Sequence, residues 1–326
     1  MTPADPRAAA APPPPAPLYQ PQRPPRSQWV PVRGFEYHVR SWGDPSLVTP
    51  QRPPLVLAHG FMDIGASFQF LVDALAAQEG ERRYILAMDW RGFGLTRGPA
   101  TDNFWFPDYL GDLDALLSLA PLGLDPKSPV DLLGHSMGGN VAMTYAGVQP
   151  ARVRRLVNIE GYGLPRGQAE EAPSRLARWL NHLRHPHGLR PYADAKGVQT
   201  RLQENNPRLS DARAGWLARQ WAAPGEDGLW HILAHPAHKN INPLIYRVEE
   251  VLACWARITA PVLWVEGADS ETSHWWGDRF PRAEFEARLA AVGSLERHTL
   301  AQAGHMLHHD QPDVLARHLR AFLDLP

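Results

Sequence analysis

The sequence predicts an α/β fold: a mostly parallel twisted sheet with helices on both faces and an inserted helical cap. Three observations carry this. Short continuous apolar runs, Pro54 to Ala58 and Tyr84 to Met88 among them, read as strands buried on both faces. They alternate with segments of helical periodicity, the pattern of βαβ units. The alternation stops between Gly161 and about Thr259 and resumes at Pro261-Val262-Leu263-Trp264-Val265, so a helical segment is spliced into the sheet pattern.

In chain order, residues 1–27 are dominated by Pro and Ala and read as a disordered or polyproline-like tail. They lack the cationic start and apolar stretch of a signal peptide. Trp29 to Val32 and Phe35 to Ser41, split by Arg33-Gly34, read as a hairpin. After the Pro54 to Ala58 strand, Phe68, Leu71, Val72 and Leu75 fall on one helical face. Tyr84 to Met88 is the next strand, and Pro107 to Leu119 the next helix. Val130 to Leu133 is a strand followed by a helix with Val141, Ala142, Tyr145 and Val148 on one face. Val153 to Ile159 is a strand ending at Glu160. Late in the chain come a strand at Leu295 to Leu300 and a closing helix with Leu315, Leu319, Phe322 and Leu323 on one side. The expected organisation is a core of residues 28–160 and 260–326 with a cap of residues 161–259. That cap carries Trp179, Trp216, Trp221, Trp230 and Trp255.

The 326 residues are 44% apolar, enough for a substantial core, and the formal net charge is −1. Neither a nucleic-acid partner nor an anionic membrane surface is suggested by that balance. No apolar run reaches the length of a membrane span. The single cysteine, Cys254, excludes intrachain disulfides, reads as a small buried side chain, and fits a reducing compartment, so a cytoplasmic location is expected. The oligomeric state is not set by any of these features.

The chemistry centres on Gly134-His135-Ser136-Met137-Gly138-Gly139. Strand, glycine-flanked serine and helix together make a nucleophile elbow. So tight a reversal crowds the backbone, and the residues two before and two after the serine must lack a Cβ. The new helix directs free N–H groups at whatever Ser136 attacks. In an elbow triad the order along the chain is serine, acid, histidine. His305, in Ala-Gly-His-Met-Leu just beyond the last strand, is therefore the expected base. His308 and His309 read as ordinary loop or helix-start residues.

This elbow, the strand-end His59-Gly60-Phe61, the Asp89-x-Arg91-Gly92-x-Gly94 loop and the late Gly304-His305 resemble, in that order, the α/β-hydrolase superfamily over residues 29–326. Within it, His-Gly-Phe-Met-Asp-x-x-x-Ser-Phe and Gly-His-Ser-Met-Gly-Gly are similar to the serine-hydrolase-like group of capped bacterial and animal enzymes. The resemblance implies an α/β-hydrolase fold, a Ser–acid–His triad, a substrate-selecting cap and an oxyanion hole. The hole's donors would be the backbone N–H groups of Met137 and Phe61. It implies no cofactor.

The acid stays open among three carboxylates. The usual position, three residues after the glycine that ends the Pro261 to Val265 strand, is occupied here by Ser270. Asp269 and Glu271 flank it. Glu160 stands where haloalkane dehalogenases, relatives in the superfamily, carry a triad glutamate after the strand following the elbow. Asp269 is favoured by its place in the turn facing the histidine loop. The histidine groups 182/185/187 and 231/235/238 lack zinc-motif spacing, so no metal is expected.

The expected function is a serine hydrolase, carboxylesterase-like, that cleaves a small, partly apolar ester or related acyl compound through an acyl-enzyme. A carbon–carbon bond hydrolase with the same triad, or a non-catalytic small-ligand binder on the same fold, are the alternatives.

Overall fold

The computed structural model describes residues 17–80, 82–271 and 277–324. Eight of its strands form one sheet: β1 (Arg26–Val32), β2 (Phe35–Trp42), β3 (Leu55–Ala58), β4 (Ile85–Met88), β5 (Val130–His135), β6 (Val153–Ile159), β9 (Val262–Gly267) and β10 (Leu295–Leu300). They lie in the order β1-β2-β4-β3-β5-β6-β9-β10. The β1–β2 and β2–β4 pairs are antiparallel, and every later neighbour is parallel.

The period-two alternation of side chains feeds two cores. Val56, Leu86 and Leu132 face one side of the sheet. There they meet helices α2 (Phe106–Leu116), α3 (Met137–Val148), α7 (Val248–Trp255) and α8 (Arg282–Leu289). Leu55, Leu57 and Leu133 face the other side, against α1 (Gln69–Glu79) and α10 (Pro312–Leu323). The apolar stripe of α10 is the one expected: Leu315, Leu319, Phe322 and Leu323 are all buried. Val148, placed on the buried face of its helix by periodicity, is instead 52% exposed at the last turn of α3.

Between β6 and β9 lie α4 (Ala172–Arg184), α5 (Ala195–Asn205), α6 (Asp211–Trp221), a two-stranded ribbon of β7 (Ala222–Pro224) and β8 (Trp230–Ile232), and α7. The ribbon was not expected from sequence, since three-residue strands carry no alternation to read. Helices α5 and α6 build a third apolar cluster in which Val198, Leu202 and Leu217 meet Phe70 of α1. Helix α7, by contrast, joins the sheet layers, with Trp255 in the main core. Cys254 is only partly buried.

Residues 17–27, expected to belong to a structureless tail, pack on the body. Residues 1–16 lie outside the described residues. The Tyr19 hydroxyl donates to Asp73 at 2.5 Å, and the N–H groups of Gln22 and Arg23 donate to the same carboxylate at 3.1 and 2.8 Å. The Tyr19 ring meets Phe70 and Trp216, and its N–H donates to Ala212 O at 3.0 Å. The segment thus ties α1 to α6. Prolines hid it, because its anchors are one aromatic ring and backbone donors rather than an apolar pattern.

Candidate active site

Strand β5 delivers Ser136 into the elbow with φ 51° and ψ −116°, a conformation that costs a non-glycine residue energy and persists only where neighbours enforce it. They do so by contact. A Cβ on Gly134 would stand 2.3 Å from Gly138 O, and one on Gly138 would stand 2.1 Å from Ala58 O. The Ser136 N–H is held by Ile159 O at 2.8 Å. Met137 opens α3, where the first N–H groups have no intrahelical acceptor.

The loop after β3 closes the other side. His59 is fully buried, and burial lowers it to about 4, so the ring is neutral at pH 7. Its Nδ1 donates to Gly60 O at 2.8 Å, while Nε2 accepts the Trp90 N–H at 2.9 Å. Both ring nitrogens are spent on backbone, which fixes the path of Gly60-Phe61. A Cβ on Gly60 would lie 3.1 Å from that of Ser136, so this backbone runs directly beside the elbow serine. The preceding fastening is Asp89 at the end of β4, which accepts from Gly65 N, Leu95 N and Arg40.

His305 lies beyond β10, and its Nδ1 meets Glu160 Oε2 at 3.1 Å. Glu160 ends β6 with φ 58° and a buried carboxylate. Its Oε1 accepts from Gly267 N at 2.7 Å and from the Tyr162 hydroxyl at 3.2 Å; the Ser270 hydroxyl donates to Oε2. So the position at which an acid was sought in the turn after β9 is filled by a serine that donates to Glu160. Asp269, favoured from sequence, is placed otherwise. Its carboxylate is about half exposed and pairs with Arg208 of the insertion at 2.6 Å. Glu271 is exposed. A carboxylate on Nδ1 holds the His305 ring in the tautomer whose Nε2 carries the basic lone pair, the arrangement general-base catalysis needs.

Ser136 and His305 open onto one cavity of about 190 Å³. Its sheet side includes Phe61, Met62, Asp63 and His135, and its opposite wall is Leu202, Leu209, Leu217 and Trp221 of the insertion. Of the five tryptophans noted in the insertion, Trp221 alone reaches this wall, donating its Nε1–H to Asp63 at 3.0 Å.

His308 and His309, read from sequence as ordinary loop or helix-start residues, do lie in a short helix, α9 (Leu307–Asp310), and what that reading missed is that both are buried behind the site. Both contact the Ser67 hydroxyl, His309 at 2.6 Å and His308 at 3.3 Å. Burial lowers His309 to about 3 and pushes His308 and His135 well down, so this trio is neutral. Their proximity to His305 in sequence was the available signal. Elsewhere, His238 is sandwiched between the rings of Phe93 and Phe104, and His231 pairs with Asp227.

A model of the alpha/beta hydrolase family matches residues 55–318. The chain belongs to that family. Among its relatives, a serine hydrolase-like protein of Danio rerio is 26% identical over 72% of this chain and 69% of its own length. A 3-hydroxybutyrate-oligomer hydrolase of Cupriavidus necator is 30% identical over 80% of this chain and 84% of its own. A hypothetical protein of Pseudomonas aeruginosa PAO1 superposes with a TM-score of 0.75 at 27% identity, covering 92% of this chain and 98% of that one. The thioesterase domain from the curacin biosynthetic pathway, at 23% identity, TM-score 0.73 and coverages of 90% and 98%, shares the fold. Among the described residues, no helix of this alpha/beta hydrolase is long and apolar enough to cross a membrane.

Proposed function

We propose that the protein is a serine hydrolase that cleaves esters of a small, partly apolar acyl compound, with Ser136, His305 and Glu160 as its triad. The observation that carries this is the buried Glu160 carboxylate on Nδ1 of a histidine that shares a cavity with an elbow serine. The names of the relatives agree with ester chemistry, one of them acting on a hydroxyacid oligomer.

In the first half-reaction the Ser136 Oγ attacks the ester carbonyl while His305 Nε2 takes its proton. The Met137 and Phe61 N–H groups receive the resulting oxyanion. The imidazolium, stabilised by Glu160, then protonates the leaving alcohol as the C–O bond breaks, leaving an acyl-serine. Water, deprotonated by His305, attacks that acyl carbon. Collapse returns the proton to Ser136 and releases the acid. The wall of Leu202, Leu209, Leu217 and Trp221 gives an acyl or alcohol chain its apolar contact.

The test is covalent labelling with a fluorophosphonate probe, followed by a panel of esters of varied acyl length that includes a 3-hydroxybutyrate oligomer. Labelling and turnover that vanish in Ser136→Ala support the reading. A folded protein that neither labels nor turns over any ester would leave a ligand-binding protein on the same fold.

A further inference from the structure

Behind the nucleophile, three side chains from separate segments converge: Asp63 after β3, His135 at the end of β5 and His308 on α9. One ligand atom from each lies within 4.8 Å of the other two, and all three residues are buried. Each of the three residues also carries a buried polar atom that its other contacts do not use. Asp63 Oδ2, His135 Nδ1 and His308 Nδ1 have no hydrogen-bond partner among the described residues.

What faces this space is fixed by the opposite edge of each group. His135 Nε2 stands 2.9 Å from the carbonyl oxygen of His305, so it carries the hydrogen, and Nδ1 is a bare lone pair. Asp63 Oδ1 accepts from Trp221. The Ile64 N–H and the Ser67 hydroxyl also favour its charge, but neither bonds Oδ2. His308 Nε2 faces the Ser67 hydroxyl at 3.3 Å, and its ring leans on Phe68. Asp63 Oδ2 and His135 Nδ1, both acceptors, are therefore buried without a donor in two residues that come together behind the nucleophile. Buried acceptors left so are costly, and the space calls for an electrophile.

We propose that Asp63, His135 and His308 form a site for one divalent transition-metal ion of the zinc type, and that its occupancy inhibits the enzyme. Two imidazoles and one carboxylate are a three-ligand set zinc accepts, with a fourth position for water. Entry is through the substrate cavity, which Asp63 and His135 line. Metal–ligand distances of about 2.0–2.2 Å fix the ligand atoms around the ion, so occupancy re-aims the His135 ring. His135 holds the His305 carbonyl, and that movement is passed to the backbone of the proposed base. Only this inhibitory consequence rests on the serine-hydrolase reading; the binding does not. No sequence spacing advertises the site, because its ligands come from three distant segments.

The experiment titrates the full chain with Zn²⁺ alone at pH 7.5, by calorimetry and by competition with a chromogenic chelator. Ester turnover and fluorophosphonate labelling are followed in parallel. His308→Phe removes one ligand yet keeps a ring against Phe68, and Asp63→Asn removes another; circular dichroism and the melting midpoint show that each is folded. The expected result is one tight equivalent per chain, slowed turnover and labelling reversed by chelator, and at least a tenfold loss of Zn²⁺ affinity in either folded variant. Absence of Zn²⁺ binding, or binding that both variants retain unchanged, would overturn the site. Binding that both variants lose, without any effect on turnover, would keep the site and overturn its inhibitory role. Absence of turnover and labelling in metal-free protein, with binding intact, would count against the hydrolase reading alone.

Discussion

The Glu160 carboxylate stands 3.1 Å from Nδ1 of His305, closing a gap of 145 positions in the chain. It cannot swing away cheaply, because its other oxygen is held by the Gly267 N–H at 2.7 Å. One strand end and the next thus orient a histidine that arrives from a third.

Glu160→Gln keeps the size of this group and replaces a pure acceptor with an amide that can present N–H to Nδ1. That favours the wrong imidazole tautomer and removes the charge opposite the imidazolium. Ester turnover should fall by about 10³–10⁴. Asp269→Asn, which breaks only a half-exposed pair with Arg208, should cost less than tenfold. Steady-state kinetics on both variants decide it, and the reverse ranking would return the acid role to Asp269.

The docked N-terminal segment should matter to stability. Asp73 accepts from Tyr19, the N–H groups of Gln22 and Arg23, and Gln69. Asp73→Ala leaves these donors without their acceptor, at about 1–3 kcal/mol for an unsatisfied buried group. A chain of this size should then melt several degrees lower. Scanning calorimetry of Asp73→Ala, and of a chain lacking residues 1–25, should show the same direction. An unchanged midpoint in both would mean the segment is not anchored.

How much was legible in the sequence follows from the range of each interaction. Strand and helix positions were readable because Leu55 to Ala58 or Leu315 to Leu323 carry their periodicity locally. Ser136 was readable because the Gly134 and Gly138 requirement is enforced within five residues. The histidine partner was not: Asp269 and Glu160 are equally acidic on paper, and only the approach of β6 to β9 places Glu160 under His305 while Arg208 takes Asp269. The buried faces of His308 and His309 were hidden for the same reason, since Ser67, Phe68 and His135 come from elsewhere in the chain.

The elbow itself makes a stability prediction. A methyl at Gly138 would meet Ala58 O at 2.1 Å, and both partners are backbone of packed elements, so no rotamer change relieves the clash. Gly138→Ala should cost at least the ~1–3 kcal/mol of ordinary overpacking and displace β3 from α3. Urea unfolding should show a lower midpoint, and the variant should lose fluorophosphonate labelling even where it folds. Wild-type stability and labelling would show that the elbow is looser than this contact implies.

Acid should unfold this protein earlier than its neutral charge balance suggests. His59 and His309, lowered by burial to about 4 and about 3, and His135 and His308, also lowered by burial, are neutral when folded. In the unfolded chain each takes up a proton below about 6.5. Their contribution to stability is therefore complete above that pH and is lost as the pH falls toward the folded values, on the order of 1.4 kcal/mol per pH unit for each ring. Asp63 works the other way: burial pushes it up to about 6, so it favours the folded state as pH falls from there toward its unfolded value near 4. One carboxyl does not offset four imidazoles. The melting midpoint should be flat from pH 8 to 7 and drop on the order of 10 °C by pH 5. His308→Phe, which deletes one of the titrating rings, should flatten that fall measurably. A midpoint that stays level down to pH 5 would mean that these rings are not held neutral in the folded protein.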